Sequence, residues 1–252
     1  MSQVSTASPR VLVQTDNISR RYGGLMAVSN LSFEVRAGEI LGLIGPNGAG
    51  KSTTFNLISG FVKPSSGKLF IDGQEMTGKS ATQISKKGLV RTFQHGSLMK
   101  SLSVRDNILI GAIGAIPPGQ GAARADRVSE SAQMLELEPY LDEIAGNLPH
   151  GIQRMVSIAI AYAAHPSVLC LDEPLTGLNQ TEATNTLTML RRIRDHRGCA
   201  ILLVEHNMKA VMQICERIVV LHHGQMLATG TPAEIRSNQT VVAAYLGAKH
   251  AN

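Results

Sequence analysis

Residues 45–53 have the sequence GPNGAGKST, which constrains the fold more than any other stretch of the chain. The segment fits the pattern G-x-x-x-x-G-K-[ST], follows the apolar run EILGLI and precedes the helical pattern TTFNLISG. A strand, a glycine-rich loop and a helix start in this order bind phosphate oxygens through backbone amides and the helix N-terminus. The residues expected to hold a nucleotide are Gly45, Pro46, Asn47, Gly48, Ala49, Gly50, Lys51, Ser52 and Thr53, with Lys51 at the terminal phosphates and Ser52 on magnesium.

A second motif, VLCLDEP at residues 168–174, predicts a buried strand that ends in two acidic residues. Magnesium prefers one or two carboxylates together with substrate phosphates, which suits Asp172. Glu173 is placed to orient or deprotonate an attacking water. Neighbouring residues on a strand point in opposite directions, so the two acids are expected to have separate roles. An isolated pair of acids could equally well only end a strand, but the phosphate-binding loop favours the functional interpretation.

The rest of the chain alternates short apolar runs with longer amphipathic ones, which predicts an α/β fold around a largely parallel sheet. The predicted parallel strands are Glu39–Ile44, Val168–Leu171, Ala200–Val204 and Arg217–Leu221. Runs that alternate at period two predict an antiparallel section at Val11–Asn17, Val28–Val35 and Gly67–Asp72. Between about residues 96 and 164 helical patterns replace the strands and predict an inserted helical subdomain.

Local signals mark individual helix starts and one loop. Capping boxes predict helix starts at Asn179, with Glu182, and at Thr231, with Glu234. Residues 109–123 contain four glycines and two prolines, which predict a loop inside the helical subdomain.

The amino-acid composition limits the number of domains and the compartment that the chain can occupy. A chain of 252 residues that is 43% hydrophobic can bury one core or two, and a net charge of +5 over that length says little about partners. The odd number of cysteines, all in apolar runs, predicts buried reduced thiols: Cys170, Cys199 and Cys215. No run approaches the roughly 18 apolar residues of a membrane span, and the polar start MSQVSTASPR does not resemble a signal peptide. We therefore expect one domain at residues 11–252 after a flexible tail at residues 1–10.

Further motifs follow in a fixed order: Gln94 in VRTFQH, a glycine-containing helix start before the second strand, GLNQTE after it, and His206 in LLVEHNM. Together with the first two motifs, this order resembles the ATP-binding subunits of ABC transporters, from about Val11 to Leu246. Subunits of branched-chain amino acid importers are the most similar, in the segments GPNGAGKSTTFNLISGF, VRTFQH, DEPLTGLN, VEHNMKAVM and GTPAEIRSNQTVVAAYLG. The resemblance implies a P-loop ABC ATPase domain with an antiparallel β section and an inserted helical subdomain.

The resemblance also implies roles for single residues. Tyr22 would stack on the adenine, a contact typically worth about 1–3 kcal/mol per base. Gln94 would contact magnesium and the attacking water, and His206 would hold the γ-phosphate. The implied magnesium ligands are Ser52, Gln94 and Asp172, and the implied catalytic residues are Lys51, Gln94, Glu173 and His206. Without the P-loop, a lone tyrosine or histidine at such positions would more often be structural.

The segment NLPHGIQR at residues 147–154 begins a long apolar helical pattern and departs from the family. ABC ATPases usually have leucine, serine, glycine, glycine and glutamine here, and this helix start closes over the ATP held by the other chain of a dimer. The corresponding residues are Leu148, Pro149, His150, Gly151 and Ile152. Pro149 lacks the serine hydroxyl and a backbone donor, so Gly151 and the helix dipole are left to contact phosphate. The same segment is also an ordinary helix start, since proline suits that position.

The resemblance implies an ATP hydrolase that uses ATP and Mg²⁺ at the cytoplasmic face of the cell membrane, as a peripheral subunit. Its implied partners are membrane-spanning permease subunits and a periplasmic or extracellular solute-binding protein, with no nucleic acid. Because LPHGI would weaken a nucleotide site on the facing chain, we expect a heterodimer with a second ABC ATPase chain. Two alternatives remain open: a soluble ABC-type ATPase outside transport, and a nucleotide-binding assembly module with low turnover. The sequence shows neither the paired ATPase domains nor the long coiled-coil insert that soluble ABC-type ATPases usually carry, which counts against the first alternative. Glu173 and His206 are intact, which counts against the second alternative.

Overall fold

The computed structural model consists of two β-sheets and the helices packed on them. It describes residues 9–92 and 98–249, of which residues 246–249 are described by their backbone alone. The strands are β1 (Val11–Tyr22), β2 (Leu25–Leu31), β3 (Glu34–Arg36), β4 (Ile40–Ile44), β5 (Ser66–Ile71), β6 (Gln74–Glu75), β7 (Leu89–Arg91), β8 (Val168–Asp172), β9 (Ala200–Val204), β10 (Arg217–His222) and β11 (Gln225–Gly230). The α-helices are α1 (Lys51–Ile58), α2 (Ala81–Lys86), α3 (Val104–Ala115), α4 (Gly121–Met134), α5 (His150–Ala163), α6 (Gln180–Arg197), α7 (Met208–Ile214), α8 (Pro232–Ser237) and α9 (Gln239–Lys249).

The central sheet has the strand order β11-β10-β4-β9-β8-β7. Strands β10, β4, β9, β8 and β7 are parallel to one another, whereas the edge strand β11 is antiparallel to β10. The carboxyl ends of the parallel strands therefore lie along one edge, where α/β proteins bind their ligands. The four predicted parallel strands are confirmed, with ends that differ by one residue at most.

The central sheet is buried on both faces. On strand β4, Ile40 and Ile44 belong to the core formed with α5 and α6, while Leu41 and Leu43 belong to the core formed with α1 and the antiparallel sheet. All four side chains are fully buried. Burial on both faces explains why these strands are continuous apolar runs in the sequence.

The second sheet is antiparallel and has the order β2-β1-β5-β6, with β3 also paired to β1. The prediction of a single strand at Val28–Val35 is wrong, because β2 and β3 pair with different parts of β1. Side-chain hydroxyls interrupt the ladder between them: Asn17 N–H donates to Ser32 Oγ over 2.7 Å, and Phe33 N–H donates to Thr15 Oγ1 over 2.9 Å.

The described residues between β7 and β8 are helical or in loops, as predicted, and include α3, α4 and α5. The predicted loop at residues 109–123 is wrong for most of its length, since α3 continues to Ala115 and α4 begins at Gly121. A Cβ on Gly111 would lie 1.9 Å from the backbone oxygen of Ile160, so this glycine permits close contact between α3 and α5. Packing of the two helices outweighs the weak helix propensity of glycine.

Other sequence predictions have clear outcomes. Both capping boxes are present, with side-chain and backbone hydrogen bonds at Asn179 and at Thr231. The three cysteines are buried and free. Strands β6, β7 and β11 were not predicted. Among the described helices none has the length and apolar character needed to cross a membrane. Residues 1–8 lie outside the described residues, so the tail at residues 1–10 and the single domain at residues 11–252 stay predictions.

Candidate functional site

A groove of about 660 Å³ at the carboxyl edge of the central sheet brings most of the predicted site residues together. Its lining includes Tyr22, Asn47, Gly48, Ala49, Gly50, Lys51, Ser52, Thr53, Glu173 and His206. The loops that carry these residues follow β1, β4, β8 and β9. Gly45 and Pro46 begin the loop after β4, and Asp172 ends β8 beside the groove. Gln94 lies outside the described residues, so its role stays a prediction.

The loop between β4 and α1 requires glycine at two positions. Gly45 has φ 155°, and a Cβ there would lie 2.3 Å from the backbone oxygen of Leu221. Gly50 has φ 102°, and a Cβ there would lie 2.7 Å from the backbone oxygen of Ala27. No side chain of the described residues caps the start of α1 at Gly50. The first amides of α1 are therefore available to an anion, in the manner of phosphate-binding loops.

Lys51 is buried against its own loop. Its Nζ donates hydrogen bonds to the backbone oxygens of Gly45, over 2.7 Å, and of Pro46, over 3.0 Å. Burial lowers the pKa of Lys51, and the negative charges of Glu173 and Asp172 oppose that shift. The lysine thus adds a positive charge to the floor of the groove.

Glu173 and His206 form a direct side-chain pair, with 2.6 Å between Glu173 Oε1 and His206 Nε2. They follow neighbouring strands, because β8 and β9 pair in register with Asp172 opposite Val204. Glu173 has φ 48°, and its N–H donates to the backbone oxygen of Val204 over 2.9 Å. A left-handed conformation is unfavourable for glutamate, and such conformations are often found at functional sites.

Asp172 is paired with a residue whose role the sequence analysis missed. Arg91 Nη2 donates to Asp172 Oδ2 over 2.9 Å, and Nη1 donates to Asn56 Oδ1 over 2.6 Å. The side chains of Arg91 and Asp172 are only 11% and 8% exposed. The guanidinium also lies 5.3 Å from the ring centroid of Phe55. Arg91 lies in the motif VRTFQH, but the resemblance to ABC ATPases assigns a role in that motif only to Gln94.

The predicted magnesium ligands Ser52 and Asp172 are oxygen donors at or beside the groove. The described residues contain no group of three or more His, Cys, Asp or Glu side chains placed to hold a metal ion. Magnesium usually takes one or two protein oxygens and completes its shell with phosphates and water, so its binding does not require such a group. The Arg91 hydrogen bond uses Oδ2 of Asp172 and not Oδ1, and Ser52 is an exposed residue.

Tyr22, at the end of β1, lies at the rim of the groove with 42% of its surface exposed. The guanidinium of Arg20 lies 4.5 Å from the centroid of the Tyr22 ring. A cation over an aromatic face is attractive, so this contact orients the ring.

Gly151 does not line the groove. It is buried at the start of α5, and a Cβ there would lie 2.6 Å from Glu182 Oε1. The neighbouring His150 packs on the loop after β8, since a Cβ on Gly177 would lie 3.1 Å from its Cε1. The LPHGI segment thus faces residues that follow Glu173 in its own chain, and the proposed contact of Gly151 with nucleotide stays a prediction.

Glu205 is a second residue that the sequence analysis missed. It follows β9 and is 3% exposed. Its Oε1 accepts the N–H of Leu175 over 2.7 Å, and its Oε2 accepts the N–H of His206 over 3.0 Å and of Asn207 over 3.3 Å. Burial raises the pKa of Glu205, whereas these three amides lower it.

A P-loop at the carboxyl edge of a parallel sheet, with a carboxylate and a histidine across the groove, defines a nucleotide-binding ATPase of the P-loop class. Comparison with known proteins gives the family. Residues 28–176 match the ABC transporter family model, and residues 225–251 match the family of branched-chain amino acid ATP-binding cassette transporters. The chain belongs to the ABC transporter family and is an ATP-hydrolysing cassette of it.

Individual relatives cover nearly the whole chain. The high-affinity branched-chain amino acid transport ATP-binding protein LivG of Salmonella typhimurium is 40% identical over 94% of this chain and 98% of its own length. The corresponding protein BraF of Pseudomonas aeruginosa is 37% identical over the same shares. Among solved structures, the ADP conformation of MJ1267, an ATP-binding cassette of an ABC transporter, has a TM-score of 0.84 and 28% identity. That match covers 94% of this chain and 99% of MJ1267.

The Arg91–Asp172 pair predicts a stability effect. Arg91→Met should lower the free energy of unfolding by about 3 kcal/mol, because it leaves a buried carboxylate without its cation. Urea denaturation of the full chain measures this difference. Adding Asp172→Asn to Arg91→Met should restore part of the loss, since the unpaired charge is then gone. Equal stability of Arg91→Met and the unaltered chain would contradict the importance of the pair.

Proposed function

We propose that this protein hydrolyses ATP to power the import of branched-chain or related amino acids, as the ATP-binding subunit of a transporter with separate membrane-spanning subunits. The observation that carries the proposal is the convergence of Lys51, Glu173 and His206 on one groove. Similarity to LivG and BraF over almost the whole chain supports the class of solute.

In the proposed reaction, Glu173 orients the attacking water and accepts its proton. Its contact with His206 supports this role, because the histidine fixes the carboxylate at the mouth of the P-loop. His206 and Lys51 stabilise the negative charge that develops on the γ-phosphate. The amides at the start of α1 and the loop residues 45–53 hold the phosphates.

Ser52, Asp172 and Gln94 are the proposed ligands of Mg²⁺. The bound ion would neutralise charge on the phosphate oxygens. Within the described residues, Asp172 and Ser52 provide the oxygen donors that this ion prefers, and Arg91 keeps Asp172 in one orientation.

The proposed assembly is peripheral, at the cytoplasmic face of the cell membrane. The permease subunits would transmit the hydrolysis of ATP, and a periplasmic or extracellular solute-binding protein would deliver the amino acid. We propose no nucleic acid partner. The facing nucleotide-binding chain would be a second, related ABC ATPase, because LPHGI lacks the serine hydroxyl that contacts the γ-phosphate in the family.

Glu173 and Lys51 should have different effects on ATP turnover. Glu173→Gln should leave ATP binding nearly intact and slow hydrolysis by about 10²- to 10⁴-fold, since the water loses its base. Lys51→Ala should raise the dissociation constant for ATP by about tenfold to a hundredfold, because a charge-assisted contact is lost. Phosphate release by the assembled transporter and direct binding of ATP to the full chain measure the two effects.

Glu136→Gln is a suitable control for these variants, because Glu136 pairs with Arg192 on the surface away from the groove. It should change neither quantity. Unaltered turnover in Glu173→Gln would refute the proposed base, and unaltered ATP affinity in Lys51→Ala would refute the proposed phosphate contact.

Tyr22 should contribute to affinity through its aromatic ring alone. Tyr22→Ala should raise the dissociation constant for ATP by about fivefold to a hundredfold, whereas Tyr22→Phe should leave it unchanged. Titration with ATP and with inorganic triphosphate separates the contributions, because only ATP carries the base. An equal loss of affinity for both ligands in Tyr22→Ala would exclude stacking on adenine.

The heterodimer predicts unequal nucleotide sites. A partner chain with a serine in its signature segment would complete the site built on Lys51, Glu173 and His206, so hydrolysis should occur mostly at this P-loop. Lys51→Ala should therefore abolish most turnover of the assembled complex, and the corresponding lysine variant of the partner chain should retain most of it. The isolated chain should be a slow ATPase and mostly monomeric. Fast, cooperative turnover by this chain alone, or equal losses from both lysine variants, would contradict the asymmetry.

A further inference from the structure

Glu205 connects two loops that both belong to the candidate active site. Leu175 lies two residues after Glu173, on the loop that follows β8, and His206 lies on the loop that follows β9. One carboxylate accepts backbone N–H groups from both loops, one oxygen for each loop. A carboxylate this deeply buried is stable only with such partners, and the three amides supply them.

The sheet alone does not fix the spacing of Glu173 and His206. Pairing between β8 and β9 ends at Asp172 and Val204, and the hydrogen bond from Glu173 N–H to the oxygen of Val204 extends it by one step. Beyond that point the two backbones separate into loops. Besides the contact between the Glu173 and His206 side chains, Glu205 links the two loops by accepting a backbone N–H from each.

The charge of Glu205 also concerns α5. Burial lowers the pKa of Arg154 on that helix, and the carboxylates of Glu205 and Glu173 oppose the shift. The guanidinium of Arg154 therefore interacts electrostatically with the carboxylates of both Glu205 and Glu173. Arg154 lies near the start of α5, the helix that begins in the LPHGI segment.

We propose that Glu205 is a positioning residue for ATP hydrolysis, which holds the loops of Glu173 and His206 at the separation that their side-chain contact requires. Glu205 is not assigned any contact with nucleotide or water, and acts through its hydrogen bonds to the two loops. The inference rests on the roles proposed above for Glu173 and His206.

Glu205→Gln tests the inference in the full chain assembled with its membrane subunits. Glutamine keeps the size of the side chain but has one acceptor oxygen, so its amide group must face the donors of one loop. We expect kcat for ATP to fall about tenfold or more, because catalytic groups lose rate when their geometry loosens. The dissociation constant for ATP should stay unchanged, because the P-loop is not altered.

Glu216→Gln is the matched control. Glu216 Oε2 also accepts a backbone N–H, that of Ile40 over 2.6 Å, but at the opposite edge of the central sheet. This variant should keep the kcat of the unaltered chain. A similar fall in both variants would show a general effect of replacing a carboxylate that accepts a backbone N–H, and would overturn the proposal.

A double-mutant cycle with His206→Ala distinguishes positioning from general destabilisation. If Glu205 acts through His206, the double variant should have about the kcat of His206→Ala alone, because residues in one network are not additive. The proposal would be overturned if the loss of kcat in the double variant were the product of the losses in the two single variants. Full kcat in Glu205→Gln would also overturn it. Should thermal unfolding show that Glu205→Gln does not fold, Glu205→Asp replaces it, since the shorter carboxylate cannot reach both loops. Full kcat in that variant would equally overturn the proposal.

The same measurements separate this inference from the proposed function. Full turnover in both Glu173→Gln and His206→Ala would refute the catalytic roles themselves. Loss of turnover in those two variants, with full turnover in Glu205→Gln, would refute only the positioning role.

Discussion

Burial of the central sheet on both faces is the constraint on which the rest of the structure depends. Strands β4, β8 and β9 have no solvent-exposed face and lie between the helices and the antiparallel sheet, and their pairing fixes their register. Three loops therefore leave the sheet side by side at the same edge. The P-loop, Glu173 and His206 meet in one groove for this reason, although they are far apart in the sequence.

The sequence predicted this central part well, because its physical signals are local. Apolar runs such as VLCLD and AILLV are short and buried on both faces, and the glycines of the P-loop follow directly from its backbone geometry. Strand β7 was missed since three residues give too little pattern. The break between β2 and β3 depends on Thr15, whose hydroxyl belongs to another strand. A sequence pattern does not contain such a contact.

The missed site residues have a common physical property. Arg91 and Glu205 act through partners that are distant in the chain or through backbone amides. Both lie in motifs quoted from the sequence, VRTFQH and LLVEHNM, but the roles expected from those motifs belong to Gln94 and His206. Both residues satisfy buried groups near the sheet edge: Arg91 pairs with Asp172, and Glu205 accepts the backbone N–H groups of two loops. A buried site with several charges requires such compensation, so their existence could be expected even though their identity could not.

The close contact at Gly111 has a mechanical consequence. Because a backbone oxygen of α5 fills the space where a side chain of α3 would be, the two helices cannot slide past each other without breaking van der Waals contact. The contact at Ile160 lies ten residues after His150, which corresponds to about 15 Å along the axis of α5. Any displacement of α3 that keeps this contact would therefore also displace α5, the helix that begins in the LPHGI segment.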